Sequence, residues 1–145
     1  MGADFIALTP TSDTHVSYGH EYEIKTRLLG LINPELSQTW DAIDYASNFS
    51  IEEANRKAQW VCDTLEAMVK EAGAKEDEKT LILKGVYYFV NHSDCDGVFY
   101  THECQAIAKA LEALDKDEEG DDIAIGKLIK VFNDAYEGDG EVQIW

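Results

Sequence analysis

The chain is predicted to be a mainly α protein, a single domain (residues 1–145) built as a bundle of about six helices. A minor two-stranded β-pair from the chain termini is expected to complete it. Three observations predict this class. Apolar residues recur at steps of three and four over most of the length. Several segments open on recognisable helix caps. The clearest alternating stretches are short and stand at the two ends. At 145 residues with 45% apolar and 10% aromatic side chains, the chain is long enough to bury one sizeable core, and that content argues against disorder.

Residues 4–9, DFIALT, read as the first strand, closed by Pro10 and a polar turn, TSDT. Helical spacing begins near Gly19 and carries Tyr22, Ile24, Leu28, Leu29 and Ile32 up to Asn33-Pro34. Asn33 suits an N-cap and Pro34 the first helical position, so a second helix restarts there through Leu36, Trp40 and Ile43. It fades near Ser47 and Asn48. The third helix opens on a capping box, Ser50 with Glu53. A stripe follows through Ile51, Ala54, Ala58, Val61, Leu65, Met68 and Ala72, expected to face the core, and Gly73 ends it. LILKGVYYFV, from about Thr80, is apolar on nearly every side and therefore central, with the Tyr87 and Tyr88 hydroxyls reaching the surface. A fifth helix is expected to start at Thr101 as N-cap, burying Cys104, Ile107, Ala108, Leu111 and Leu114. DKDEEGDD, residues 115–122, is a charged linker. The sixth helix turns Ile125, Leu128, Ile129, Phe132 and Tyr136 inward, and EVQIW alternates as the last strand.

The net charge of −17 is uneven, since residues 61–145 carry twenty acids against eight bases. Such a surface repels nucleic acid and anionic membrane, because phosphate binding needs clustered Lys or Arg. It favours cations and a protein partner with a basic surface. No apolar run approaches the ~20 residues that span a bilayer, the first residues have no secretory character, and Gly2 lacks the Ser or Thr at position six that myristoylation expects. A cytoplasmic location follows, with Cys62, Cys95 and Cys104 as reduced thiols.

The stretch HSDCDGVFYTHE, His92–Glu103, has alternate acids, a glycine, and a glutamate closing twelve residues between two helical segments. It resembles the EF-hand family's calcium loop, in which oxygens come from positions 1, 3 and 5, the backbone at 7, often a water at 9, and Glu at 12, with glycine at 6. That resemblance implies Asp94, Asp96 and Glu103 as side-chain ligands, the Val98 carbonyl as the backbone ligand, and Tyr100 at the ninth position. Phe99, at position 8, would anchor the loop in the core. His92 stands where Asp is expected, which removes one hard oxygen and one charge, so the implied calcium affinity is weak, on the order of 10⁻⁴ M or worse. The HSDCDG segment with its acidic-flanked helix also resembles a loose group of small bacterial proteins, acidic like this chain, that begin with a strand and end with a helix and strand. That second resemblance implies no activity.

Competing chemistry is thinner. His92, Cys95, His102 and Cys104 are possible zinc ligands, but their spacing departs from the usual C-x₂₋₄-C and H-x₃₋₅-H pairs. His15 and His20, near Asp13, Glu21 and Glu23, offer a base or metal ligand without a nucleophile elbow, a P-loop or HExxH. The expected function is a non-enzymatic acidic binding protein with a calcium-binding loop. The alternative is an acidic decoy that imitates a nucleic acid and occupies a nucleic-acid-binding partner.

Overall fold

The computed structural model describes residues 2–8, 11–44, 50–92, 97–116 and 123–144. The described elements run β1 (Gly2–Leu8), β2 (Thr11–Ser17), α1 (Tyr18–Ile32), α2 (Pro34–Asp44), α3 (Ile51–Ala72), α4 (Glu78–Val90), β3 (Gly97–Phe99), α5 (Thr101–Lys116), α6 (Ile123–Glu137) and β4 (Val142–Ile144). The described residues are mostly helical, with six helices and a four-stranded antiparallel sheet in the order β2-β1-β4-β3. No helix among the described residues is long and apolar enough to cross a membrane.

The terminal strands pair as expected, Phe5 opposite Ile144 and Ala7 opposite Val142. The sheet is nevertheless twice the expected size. The polar turn TSDT is in fact the start of β2, which pairs with the whole of β1 from Gly2↔Ser17 to Leu8↔Thr11. Among the described side chains of β2, Thr14 and Val16 are buried and the Ser12 hydroxyl is also turned inward. An edge strand whose inward side chains include Ser12 and Thr14, with Val16 the single aliphatic one, shows almost no apolar alternation. The second addition is β3, three residues of the central loop zipped onto β4 through Val98↔Gln143. The sheet is one-sided, with period two. Ala3, Phe5, Ala7, Phe99, Val142 and Ile144 face the helices, while Asp4, Asp13 and His15 face solvent.

The expected caps hold at Asn33 and Ser50, and Ser17 adds one that was not expected. The Ser17 hydroxyl accepts from the His20 N–H at 3.2 Å, Asn33 Oδ1 from Glu35 N–H at 2.8 Å, and Ser50 from Glu53 N–H at 3.1 Å. Each satisfies a donor that the first helical turn leaves orphaned. At α5 the cap sits one residue earlier than expected. Tyr100 O accepts the first helical bond from Cys104 N–H, Tyr100 N–H donates to Glu103 Oε1 at 2.9 Å, and the Thr101 hydroxyl instead donates to Gly140 O.

α4 is central, against α5, α3 and α1. Gly85 makes the closest approach possible: a Cβ there would collide with the Ala106 carbonyl of α5. The buried face of α5 is the expected one, Cys104, Ile107, Ala108, Leu111 and Leu114. Two inward expectations fail. Ile51 is 81% exposed, because α3, at about 33 Å, outruns the shorter helices it packs on. Tyr136 is exposed, while Val131 and Ala135 of α6 take buried positions. At the centre, Phe5, Phe89, Phe99 and Phe132 join β1, α4, β3 and α6, with ring centroids 5.3–6.4 Å apart. Those separations are typical of stabilising aromatic pairs.

Candidate functional site

The loop between α4 and α5 is built around a glycine and a histidine. α4 closes at Val90, with the Asn91 N–H donating to Tyr87 O. Gly97 has φ of +133°, a left-handed conformation that side-chain-bearing residues rarely adopt. It is also crowded, since a Cβ there would run into the His92 ring. His92 Nε2 lies 3.0 Å from Val98 O. A carbonyl can only accept, so Nε2 carries the proton and the imidazole is the donor. The same ring packs on Phe99 with centroids 4.1 Å apart, which ties the loop to the aromatic centre.

The residues of the implied calcium set are placed as follows. Asp94 and Asp96 lie outside the described residues, as does Cys95. Val98 is half-buried, its carbonyl engaged by His92. Tyr100 is exposed and caps α5 with its backbone, and Glu103 is half-buried with Oε1 on the Tyr100 N–H. Gly97 opens the short strand over 97–99, and α5 follows from Thr101. The strand's partner, however, is β4 rather than the strand of a second loop.

The four soft atoms considered for zinc point different ways where they are described. His92 packs on Phe99. His102 stands edge-on to Tyr88, centroids 5.9 Å apart, on an exposed flank of α5. Cys104 is fully buried, with its Sγ directed to Phe99 O at 3.5 Å. Among the described residues no three His, Cys, Asp or Glu side chains are placed to hold a metal together.

Burial pushes the Cys104 thiol up from 9.0 to about 12. The folded state therefore holds it neutral where an unfolded chain would ionise it. That contribution to stability is complete below pH 9 and is lost as pH rises from 9 towards 12. Wild type should accordingly melt above Cys104→Ala at pH 8, and the gap should narrow by pH 10.5. A gap that is constant over that range would mean the thiol is not shielded.

The two histidines near the first helix sit in different settings. His15 Nδ1 is 2.6 Å from Asp4 Oδ1, a cross-strand pair on the solvent face of β1 and β2. His20 lies in the first turn of α1, its backbone held by Ser17. Sequence reasoning passed over a different pair. Glu21 and Lys25 are each 3% exposed and face one another at 3.8 Å, one turn apart on α1. The Lys25 charge reaches Cys62 of α3, whose thiol is raised by burial and lowered in part by that lysine. The signal was present in the i, i+4 spacing of Glu21 and Lys25 on a helix whose apolar residues include Ile24 and Leu28.

Comparison with protein-family models, with curated proteins and with solved structures finds no match for this chain.

Proposed function

We propose that this chain is a non-enzymatic acidic binding protein whose 92–103 loop takes calcium weakly. The observation that supports the loop reading is the Val98 carbonyl. With Gly97 in its left-handed conformation, that oxygen meets the His92 N–H across the loop. It thus faces the residue that replaces the first calcium ligand. In the proposed site Asp94, Asp96 and Glu103 supply carboxylate oxygens, Val98 supplies its carbonyl, and Tyr100 stands at the water-linked position. His92 weakens the site twice: it contributes no oxygen, and its N–H occupies the carbonyl that the ion needs.

Calcium titration followed by amide NMR tests this. The Gly97 signal should move saturably, and Asp96→Ala should weaken the response. Glu103→Gln should weaken it too while leaving α5 capped, because the amide oxygen still accepts from the Tyr100 N–H. His92→Asp should tighten binding by roughly tenfold or more, since it restores a charged oxygen and frees the carbonyl. A Gly97 signal unmoved at about 10 mM calcium, ten times the weak end of natural sites, in both wild type and His92→Asp, rejects the loop as a calcium site.

A further inference from the structure

We infer that two copies of this chain pair through the outer edges of β2, antiparallel about Thr14, into one continuous eight-stranded sheet. β2 stands at the end of the sheet with β1 on one side, and no strand among the described residues lies on its other side. Its seven residues run in unbroken register with β1, from Gly2↔Ser17 to Leu8↔Thr11, so no bulge twists the edge away. Thr11–Ser17 contains neither proline nor lysine. Shortness, bulges, prolines and lysines are devices that keep a strand edge from pairing. The opposite edge, β3, has one of them, since it is three residues long. β2 has none, and it presents a row of backbone donors and acceptors that a further strand can take up.

The side chains of β2 select both the occupant and the register. A two-fold axis at Thr14 sets residue 13 of each copy opposite residue 15 of the other, and 12 opposite 16. On the solvent face Asp13 then meets His15 of the second copy, twice over. Both are exposed, and opposite charges attract at such directly opposed positions. The His15 ring is already oriented, with Nδ1 2.6 Å from Asp4 Oδ1. A carboxylate accepts, so Nδ1 donates and Nε2 is the nitrogen left for the second copy. As imidazolium the ring donates from both, to Asp4 of its own copy and to Asp13 of the other. On the inward face Thr14 meets Thr14, a favourable cross-strand pair. Moving the axis by one residue loses this match. At Asp13 it opposes two carboxylates, and at His15 it opposes two imidazoles. The contact is self-complementary and therefore closes as a dimer.

The dimer is a weak one. Seven residues of strand edge make a contact at the small end of specific interfaces, and two chains of net charge −17 repel one another. β2 belongs to the less acidic part of the chain, since residues 1–60 carry nine acids against four bases. Repulsion from charges further off is largely screened beyond ~8 Å at ~0.15 M salt.

Sedimentation of the full chain tests this at pH 6 and about 0.15 M salt. From about 10 μM to about 1 mM, the range of a weak contact, wild type should show a monomer–dimer equilibrium. Asp13→Arg sets a cation opposite His15 and should weaken association roughly tenfold or more. It also makes the chain less negative, so general charge repulsion would change association in the opposite direction. His15→Glu sets two acids opposite one another and should weaken it as much. An equimolar mixture of the two variants brings the new arginine opposite the new glutamate and keeps the native Asp13 and His15 opposed at the other pair. It should dimerise where neither variant does alone. If His15→Glu melts more than a few degrees below wild type through losing Asp4, hydrogen exchange of wild type replaces the mixture. Amide protection over residues 12–16 should then rise with concentration while that of β3 stays constant.

Wild type that stays monomeric through the whole range overturns the inference, and is also what a strand from an unlike protein at this edge would give. A dimer indifferent to Asp13→Arg overturns it too, because the contact then lies on another surface. A mixture of folded variants that does not associate rejects the register about Thr14. The 92–103 loop reaches the sheet at its opposite edge, through β3, so the calcium reading stands or falls separately.

Discussion

Phe132→Ala should cost about 3–5 kcal/mol of folding free energy, the range for emptying a fully buried aromatic site. Phe132 is 0% exposed and contacts Phe5, Phe89 and Phe99 at centroid distances of 6.2, 6.4 and 5.3 Å. Truncation therefore loses transfer energy and three ring contacts, and leaves a cavity walled by stiff rings from β1, α4 and β3. These three elements and α6 meet only if the cavity is filled, so collapse offers little relief. Urea unfolding should show a much lower midpoint with an unchanged slope, and Phe132→Leu should cost well under half as much. A loss for Phe132→Ala below about 1.5 kcal/mol would mean that the cluster is not the centre of the core.

Gly85→Ala should be the second most damaging of the substitutions considered, although helix propensity alone favours it by about 1 kcal/mol. The added methyl would meet the carbonyl of Ala106, a backbone group on a neighbouring helix that has no rotamer to change. The Ala110 Cβ is also only 3.0 Å from where the methyl would sit. α4 must move off α5 along the most extensive helix contact among the described residues. Overpacking of this kind costs about 1–3 kcal/mol or more, and here it must also exceed the propensity gain. A melting temperature lower by roughly 4–10 °C is expected. Gly126→Ala is the control, because nothing lies within 4 Å of its added methyl. It should hold or raise the melting temperature through propensity alone. If both alanines behave alike, the close approach of α4 to α5 is wrong.

The helices were legible because their signals are local. Caps at Asn33 and Ser50, the apolar face of α5 and the all-round apolarity of α4 need no knowledge of partners. The β2 strand was not legible, since Val16 is its single aliphatic residue and the side chains inward beside it, Ser12 and Thr14, are polar. The β3 strand hid inside a loop read for its oxygens, because pairing Val98 with Gln143 depends on where the far end of the chain lies. Ile51 and Tyr136 were assigned inward by period alone, but the period says which face is apolar and not how far along a helix its neighbours extend. Within the site, the sequence identified His92 as the departure from the EF-hand pattern. That the ring would fold back onto the Val98 carbonyl and Phe99 is a matter of tertiary packing.

The sheet order β2-β1-β4-β3 sets a timetable for synthesis. β1 meets β2 within its first few residues, but its other edge stays open until Val142–Ile144 has been made. At about 5–20 residues per second, the wait is roughly 7–30 s. β3 waits for the same three residues. Through that interval β1 exposes a bare strand edge beside Phe5, the combination that most readily pairs with a neighbouring chain. Crowded nascent chains on one message are thus the setting in which this protein is most prone to misassemble, and the last strand is the step that ends the hazard.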